Sequence, residues 1–273
     1  MTRSFAALIL ATIGCEQVNG TMDSGKTNDG APNDGAPNDG GVAAQPPDVI
    51  FGGKLVLWLD ADETGSVILD AGVVERWKNK SPIVNDAVVI FPGPDGVVLD
   101  PSFANGRPAV RLGERRGILQ AGAHFGLDWV IAVVGGYTNP ISRPGNFCAH
   151  AQLISIQGNW MSRSIVLGGN PIYNVVSDSD GWNDGKLHGF GLRSYPLRLR
   201  VDGVEKSRSS GILGGQAPFF LGGEMTCDDA GCSVQNPLEG AIAEVVVAFN
   251  TSGTPLEMAQ LSAYFQKKYG IPF

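Results

Sequence analysis

Short apolar runs separated by turn residues dominate the chain from Lys54 onward. Residues 55–59 form one continuous apolar run, which is typical of a strand that is buried on both faces. In residues 197–201 apolar side chains alternate with two arginines, which predicts a strand with one buried face and one solvated face. Asp202-Gly203 follows directly and predicts a type I′ hairpin, because both central positions of that turn need positive φ.

Similar apolar runs predict further strands at close intervals. Their ranges are 73–77, 87–91, 109–112, 129–134, 152–157, 164–167, 172–176, 188–192, 219–221 and 241–249. Many short strands joined by tight turns are typical of a sandwich of two antiparallel sheets. We therefore predict an all-β fold built from two such sheets.

One segment near the C-terminus predicts a well-specified helix. Thr254 can cap its N-terminus, Pro255 occupies the first helical position, and Glu257 completes a capping box. Gly270 suits the C-cap. The apolar stripe of this helix consists of Met258, Leu261, Phe265 and Tyr269. Because the stripe lies on one face, we expect the helix to pack against the sandwich.

The N-terminal segment has the pattern of a secretory signal. Arg3 precedes the apolar residues 5–13, which are too few to span a bilayer, and the small Gly14 comes directly before Cys15. This arrangement resembles the lipobox of bacterial lipoproteins, and the resemblance implies that Cys15 is lipidated and becomes the mature N-terminus. We expect an exported protein, anchored by that lipid alone to the bacterial outer membrane or cell surface. A secreted protein without a lipid is the alternative.

Residues 16–53 have the composition of a flexible linker. Asn-Asp-Gly occurs three times between residues 28 and 40, twice within Ala-Pro-Asn-Asp-Gly. Such repeats offer almost nothing apolar to bury, so the entropy lost on ordering is not offset. The five-residue spacing and the lack of a closing bidentate Glu favour a linker over a calcium loop. The predicted organisation is a signal at 1–15, a linker at 16–53 and one domain at 54–273.

The charge of the chain excludes one class of partner. Of the formal net charge of −7, residues 1–53 carry −4, so the remaining residues carry −3. A nearly neutral domain without a run of Lys and Arg lacks the cationic field that nucleic acid binding needs. We therefore expect no DNA or RNA partner.

Sequence landmarks occur in a characteristic order through the predicted domain. They are Leu57-Trp58-Leu59-Asp60-Ala61, Val74-Glu75-Arg76-Trp77, Asn79-Lys80-Ser81, Asn105-Gly106-Arg107-Pro108, Val201-Asp202-Gly203, Leu221-Gly222-Gly223, Gly240-Ala241-Ile242-Ala243-Glu244-Val245 and Lys268-Tyr269-Gly270-Ile271. In this order they resemble the LamG-like jelly-roll domains of the concanavalin A-like lectin and glucanase superfamily. The resemblance implies jelly-roll connections and sugar or protein binding at one face, although a fold alone does not transmit an activity.

No catalytic residue is predicted. Relatives with this fold that hydrolyse β-glucans use Glu-x-Asp-x-Glu, because retaining hydrolysis needs carboxyl groups about 5 Å apart, and no glutamate here begins such a motif. Asp60 and Asp62 form a same-side acid pair that we expect to shape a turn. The histidines His124, His150 and His188 are isolated and lack metal-ligand spacing, so we expect each to be a surface residue or a hydrogen-bonded structural residue.

Two cysteines of the domain are close enough in sequence to close a small loop. Cys227 and Cys232 flank four residues, and in an oxidising compartment we expect them to form a disulfide. A pair of reduced thiols is the alternative. Cys148 is then left over, and we expect it to be buried and inert.

The most suggestive polar cluster is the segment 178–185, Asp-Ser-Asp-Gly-Trp-Asn-Asp-Gly. Its acids offer oxygen ligands for calcium, and its Trp offers a face on which a pyranose can stack. The predicted ligand-binding residues are Asp178, Asp180, Trp182, Asn183 and Asp184, with Trp160 as a second aromatic platform; the calcium ligands among them are Asp178, Asp180 and Asp184. A plain acidic, Gly-rich loop between two strands is the alternative.

These patterns predict a non-enzymatic, monomeric binding module on the cell surface, with a glycan as the expected ligand and calcium as the expected helper. Two alternatives stay open. One is a glycan hydrolase whose catalytic carboxylates the sequence does not reveal. The other is a structural or adhesive module that recognises a cell-surface protein.

Overall fold

A computed structural model describes part of the chain in detail. The described ranges are 42–83, 85–112, 116–121, 124–125, 128–137, 154–158, 161–165, 186–193, 197–209, 215–216, 219–228, 231–235 and 240–273. Within these ranges every strand pair is antiparallel. No helix in them is long and apolar enough to cross a membrane.

The elements are short strands followed by one long helix. They are α1 (Pro47–Phe51), a 3₁₀ turn (Gly52–Lys54), β1 (Leu55–Asp60), β2 (Val67–Asp70), β3 (Val73–Trp77), β4 (Ala87–Pro92), β5 (Val98–Ala104), β6 (Arg107–Leu112), β7 (Gly117–Ala121), β8 (His124–Phe125), β9 (Trp129–Tyr137), β10 (Ile154–Gly158), β11 (Met161–Ile165), β12 (His188–Arg193), β13 (Leu197–Val201), β14 (Val204–Ser209), β15 (Gly215–Gln216), β16 (Phe219–Leu221), β17 (Glu224–Asp228), β18 (Gly231–Gln235), β19 (Gly240–Phe249) and α2 (Pro255–Tyr269).

Two large sheets contain most of these strands. The eight-stranded sheet has the order β14-β13-β12-β9-β19-β6-β5, with β1 also paired to β19. The seven-stranded sheet has the order β11-β10-β16-β7-β4-β3-β2. The chain passes repeatedly from one sheet to the other, which is the kind of connection that jelly rolls use. The predicted all-β fold, a two-sheet antiparallel sandwich with a C-terminal helix, is confirmed.

The eight-stranded sheet buries apolar side chains on both faces. Along β9, Ile131 and Val133 belong to a core cluster that also contains Leu119 and Leu221 of the seven-stranded sheet. Their neighbours on β9, including Ala132, belong to a second cluster with residues of α1 and α2. Because adjacent strand residues point to opposite faces, the eight-stranded sheet lies between the seven-stranded sheet and the helical layer.

The predicted helix and its caps are confirmed. The structure begins α2 at Pro255 and ends it at Tyr269. The Thr254 hydroxyl accepts a hydrogen bond from the Glu257 backbone N–H at 3.2 Å, and the Glu257 carboxylate accepts one from the Thr254 N–H at 2.8 Å. Gly270 has a left-handed backbone with φ of 73°. Both ends of α2 are thus fixed by local interactions that the sequence displays.

Most predicted strands are also confirmed, while residues 172–176 lie outside the described part of the chain. The Asp202-Gly203 turn has positive φ at both positions, 50° and 77°, as a type I′ hairpin requires. Among the strands that the pattern did not predict, β5 contains Pro101, which is tolerated because β5 lies at a sheet edge.

The folded body begins within the segment predicted as linker. Helix α1 occupies residues 47–51, and Phe51 is buried in the cluster beneath α2. Lys54 is tied to the same helix by an ion pair with Glu257, 3.0 Å between Nζ and Oε1. Pro47 is also buried and Ile50 packs against the same cluster, so α1 lies with the domain rather than with the linker.

Candidate functional site

The predicted ligand loop lies outside the described residues. This holds for Asp178, Asp180, Trp182, Asn183 and Asp184, for Trp160, and for Cys15, Cys148 and His150. The described strands that border them are β10, β11 and β12. The binding, calcium and lipid assignments of these residues therefore stay predictions.

The predicted cysteine pair falls on two adjacent strands. In the two-stranded sheet of β17 and β18, the register places Cys227 directly opposite Cys232. Directly opposed residues of an antiparallel pair have Cα atoms about 4.5–5.5 Å apart, a separation within the range that disulfides span. The backbone register is therefore compatible with the predicted bond.

A buried polar cluster lies between the eight-stranded sheet and α2. We use this name for Trp58, Asp60, Lys80, Glu244, Tyr264, Lys268 and Tyr269. At its centre Glu244, on β19, is fully buried, with no exposed surface. The register of β1 against β19 places Asp60 directly opposite Glu244. Two carboxylates are thus adjacent on neighbouring strands, an arrangement that requires strong compensation.

Four donors satisfy the Glu244 carboxylate. Its Oε1 accepts hydrogen bonds from Trp58 Nε1 at 2.8 Å and from the Tyr264 hydroxyl at 2.9 Å. Its Oε2 accepts from Lys268 Nζ at 2.7 Å and from the Tyr269 hydroxyl at 2.8 Å. Three of these donors come from α2, so the carboxylate joins the helix to the sheet.

Asp60 is held from three directions. Lys268 Nζ lies 2.6 Å from its Oδ1, and Lys80 Nζ lies 3.2 Å from its Oδ2. The backbone N–H of Asp62 also donates to Oδ1, at 3.1 Å. This last bond is the turn-shaping role predicted for the acid pair, and the Asp62 carboxylate itself pairs with Arg107.

Burial and charge shift the pKa values in this cluster. Desolvation, and then the adjacent Asp60, raise the pKa of Glu244 above its usual range. Burial and the negative charge of Glu244 likewise raise the pKa of both Tyr264 and Tyr269. Burial alone would lower the pKa of Lys80, but the charges and hydrogen bonds of Asp60 and Glu63 together raise that pKa. The tyrosines therefore remain protonated donors.

The geometry of the buried polar cluster favours a structural role for it over a catalytic one. The cation of Lys80 lies 3.7 Å from the centre of the Trp58 ring and helps to cover it. A catalytic carboxylate has to reach a substrate and exchange a proton with it, whereas every oxygen of Glu244 and Asp60 already has a donor. We interpret the cluster as a set of polar contacts that fixes α2 on the sheet.

A partly buried pair, His188 and Asp202, lies elsewhere on the same sheet. His188 Nδ1 is 2.7 Å from Asp202 Oδ2, and the Gly189 backbone N–H donates to Asp202 Oδ1 at 2.8 Å. The pair fixes the β13–β14 turn against β12. His188 is thus a hydrogen-bonded residue, one of the two expectations for the histidines. Within the described ranges, no group of three His, Cys, Asp or Glu side chains is arranged to hold a metal ion.

The outer face of the seven-stranded sheet carries a row of four residues that are partly polar and partly apolar. The register aligns Arg76 with Val88, Val88 with Gln120, and Gln120 with Phe220. Their chain neighbours point into the core between the sheets, so these four residues lie on the opposite face. Val88 is 42% exposed, whereas Phe220 is fully buried. One part of this face is therefore open to solvent.

The sequence did not reveal the buried polar cluster as a site. Glu244 lies within a continuous apolar run and lacks any acid two positions later, so its surroundings give no hint of a second carboxylate. The one available signal was its place in a sequence landmark, together with Asp60 and Lys268.

Comparisons with known proteins identify the architecture. Neither a family model nor a curated relative matches the sequence. Among solved structures, Trypanosoma rangeli sialidase in complex with sialic acid aligns with 78% of this chain at 13% identity and a TM-score of 0.50. The chain spans about a third of that protein, 33% of its length. This likeness shows a shared β-sandwich fold.

Two further solved structures align more loosely. Domain 4 of an extracellular GH43 arabinanase from Geobacillus stearothermophilus, in complex with arabinotriose, covers 76% of this chain and 98% of its own at 14% identity, with a TM-score of 0.49. The receptor-binding domain of botulinum neurotoxin type G covers 78% of this chain and 51% of its own at 12% identity, with a TM-score of 0.46.

Proposed function

We propose that this chain is a LamG-like, non-enzymatic module that binds a glycan at the cell surface. The observation that carries the proposal is the meeting of the sequence landmarks in space. Landmark residues from five separate parts of the chain are joined by hydrogen bonds and ion pairs. They include Trp58, Asn79, Asn105, Glu244, Lys268 and Tyr269.

The contacts between landmarks are specific. The Asn79 side chain accepts a hydrogen bond from the Trp58 backbone N–H at 2.9 Å. The Asn105 side chain donates to the Tyr269 carbonyl at 2.7 Å, where α2 ends. These contacts hold the fold together and do not depend on any ligand. Such residues are expected to be shared by proteins with the same fold, which supports the LamG-like assignment.

The state of the buried acids favours binding over hydrolysis. A retaining glycosidase needs two carboxyl groups about 5 Å apart on either side of an accessible sugar. Among the described residues, Asp60 and Glu244 are adjacent but sealed beneath α2, and Asp62 pairs with Arg107. Their carboxylate oxygens already bind donors within the protein, so a sugar would have to bind elsewhere.

We propose the segment 178–185 as the principal ligand loop, with calcium held by Asp178, Asp180 and Asp184. Trp182 would stack on a pyranose ring, and Asn183 would hydrogen-bond to its hydroxyls. Trp160 would add a second stacking surface. In this proposal the sandwich supplies a rigid scaffold, and a loop supplies recognition, as is common in proteins.

A glycan array probed with the full-length protein tests this proposal. We expect binding in calcium and its loss in a variant that carries Asp178→Asn, Asp180→Asn and Asp184→Asn. The matched control is Asp70→Asn, an exposed acid beside the β2–β3 turn, which should bind as the parent does. Calorimetric titration with calcium reports the metal separately.

Other results would assign another function. Release of reducing ends from any polysaccharide by the purified parent protein would establish a hydrolase and refute the non-enzymatic role. An array without binding, combined with tight and saturable binding to a defined cell-surface protein, would establish the adhesive alternative.

We also propose that Cys15 carries a lipid and that the linker separates the domain from the membrane. In a bacterial host, Cys15→Ser should move the protein from the membrane fraction to the soluble fraction, while Cys148→Ser should leave it in the membrane fraction. Equal distribution of the two variants would contradict the anchor and favour the secreted alternative.

A further inference from the structure

The seven-stranded sheet ends in an apolar edge strand. Within the described part of the chain, β2 (Val67–Asp70) has β3 as its only paired neighbour. Its sequence is Val-Ile-Leu-Asp, so its one charge lies at the last residue, where the hairpin turn begins. Leu69 is 47% exposed. An unpaired, apolar edge is a template on which another strand can pair.

The other described edges of the two large sheets are protected in ways that β2 is not. The strand β5 contains a proline, β11 contains an arginine, and β14 contains three charged residues. The free side of β1 is covered, because the Trp58 backbone N–H donates to Asn79 Oδ1 and the Lys80 N–H donates to the Trp58 carbonyl. Prolines, charges and covering segments all prevent unwanted edge pairing. The edge of β2 is therefore the open one among those that the structure describes.

The hairpin shows which backbone groups of β2 face outward. The Lys78 N–H donates to the Ser66 carbonyl at 2.8 Å, so the backbone groups of Ser66 point toward β3. The extra residue of the bulge in this hairpin lies on β3, so the alternation along β2 is uninterrupted. Because backbone groups of successive residues point to opposite sides of a strand, those of Val67 and Leu69 point away from β3. They offer two donors and two acceptors to a partner strand.

The side chains of β2 make this edge complementary to itself. Val67 packs against the core between the sheets, and Leu69 lies opposite Val74 of the same core. Ile68 lies between them and points to the outer face. When two copies of β2 pair antiparallel about a two-fold axis at Ile68, Val67 of each copy lies opposite Leu69 of the other. Apolar side chains then meet on both faces, and the exposed Leu69 is covered.

The same register also brings opposite charges together. It places Asp70 of one copy opposite Ser66 of the other, and Lys78 is the neighbour of that Ser66 across the hairpin. Asp70 and Lys78 are both exposed, and both lie on the outer face. With two strand spacings between them, their Cα atoms are about 10 Å apart, a distance that the two side chains can span. Such exposed pairs add little affinity, but they help to fix the register.

We propose that β2 is a docking surface for a second copy of this chain, which pairs with it antiparallel in the register centred on Ile68. The seven-stranded sheets of the two copies then join into one continuous sheet. A four-residue strand contributes about four main-chain hydrogen bonds to this pairing. Because such a contact is smaller than a standard interface of about 1,200–2,000 Å², the dimer is weak. The monomer that the sequence patterns predict should dominate in dilute solution.

Sedimentation equilibrium of the full-length chain tests the dimer. The protein carries Cys15→Ser, so that no lipid drives association, and is measured from about 1 to 500 μM. We expect a reversible equilibrium between monomer and dimer. Leu69→Lys should weaken it by about tenfold or more, because a charge on the edge has to lose water on pairing. The matched control is Val88→Lys, which adds the same charge two strands away at a residue that is 42% exposed, and it should not change the equilibrium.

A cysteine at the two-fold axis tests the register. In the proposed pairing, residue 68 of one copy lies directly opposite residue 68 of the other, in a pair whose Cα atoms are about 4.5 Å apart. This separation is within the range that disulfides span. Mild oxidation of Ile68→Cys should therefore give a covalently linked dimer. Val88→Cys and the parent, treated in the same way, should stay unlinked, and unchanged thermal midpoints show that all variants are folded.

The outcomes separate this inference from the proposed function. A chain that stays monomeric at the highest concentration would overturn the inference and support the predicted monomer. Association that Leu69→Lys leaves unchanged, or equal cross-linking of Ile68→Cys and Val88→Cys, would place the contact elsewhere and would also overturn it. If the dimer forms in the proposed register while no glycan binds, the inference stands and the glycan function fails. If a strictly monomeric protein binds glycans, the reverse holds.

Discussion

Replacing Lys268 by Met tests whether the buried polar cluster stabilises the domain. Lys268 Nζ lies 2.6 Å from Asp60 Oδ1 and 2.7 Å from Glu244 Oε2, and its side chain is 13% exposed. Methionine retains the apolar stem and removes the charge. The substitution thus leaves two adjacent carboxylates without the cation that lies between them.

The expected cost follows from this geometry. Removing one partner of a buried ion pair costs about 3–5 kcal/mol. We expect a value near the lower end, about 3 kcal/mol, because Asp60 keeps Lys80 at 3.2 Å and Glu244 keeps three neutral donors. Domains of ordinary stability unfold at about 5–15 kcal/mol, so the variant should still fold and can be measured by urea denaturation.

A second substitution isolates the interaction. In the double variant Lys268→Met, Glu244→Gln, the neutral amide no longer needs a cation, so the double loss should be clearly smaller than the sum of the single losses. The matched control is Lys267→Met, an exposed neighbour on the same turn of α2. We expect the control to stay within about 0.5 kcal/mol of the parent.

The pH dependence provides an independent check. The pKa of Glu244 is already raised by burial, and loss of Lys268 should raise it further. A carboxyl group with a raised pKa binds a proton more tightly in the folded state, so stability falls as pH rises from the unfolded pKa through the folded one. Lys268→Met should therefore recover stability on mild acidification. Additive single losses, a loss below about 1 kcal/mol or recovery at high pH instead would refute the reasoning.

Three further predictions concern local features. E257Q should lose about 1–2 kcal/mol at neutral pH, and should lose less additional stability in acid than the parent. Although burial opposes it, the capping hydrogen bonds hold the pKa of Glu257 below its usual range. Its contribution to stability is therefore present at neutral pH and is lost as the pH falls through that lowered pKa. If the parent and E257Q lost the same stability between neutral and acidic pH, this prediction would be wrong. Gly191→Ala should destabilise the domain by about 1–3 kcal/mol, because the new Cβ meets the Phe273 ring at 2.8 Å. Phe273→Leu should restore part of this loss. If Gly191→Ala left the free energy of unfolding unchanged, residues 271–273 would have to shift to accept the Cβ, and the prediction would be wrong. Intact mass of the exported protein should rise by two hydrogens on reduction, with the change mapping to Cys227 and Cys232, and free thiols on both would support the alternative.

Local patterns explain why some elements could be read from the chain. The caps of α2 at Thr254 and Gly270 act within one turn of the helix, and the type I′ turn at Asp202 depends on two consecutive residues. Strands such as β13 show their buried face through alternation. In each case the interacting groups are close in sequence, so the pattern is visible without the fold.

Elements without a continuous apolar pattern could not be read in this way. The strand β5 contains a proline and several polar residues, and it exists because the edge of the eight-stranded sheet accepts it. Helix α1 lies in a segment with a linker-like composition, and it is held by the burial of Phe51 beneath α2. Here the tertiary environment decides between strand, helix and linker.

The sequence by itself determined the all-β class, the C-terminal helix with both caps and the turn after β13. Only the tertiary structure decided that Glu244 lies opposite Asp60 beneath α2, that Cys227 faces Cys232, and that Arg193 and Arg198 are adjacent. The reason is physical. The register between two strands depends on which segments of the chain pair, and the burial of a charge depends on what covers it. Both are properties of the assembled sheets rather than of any local run of residues.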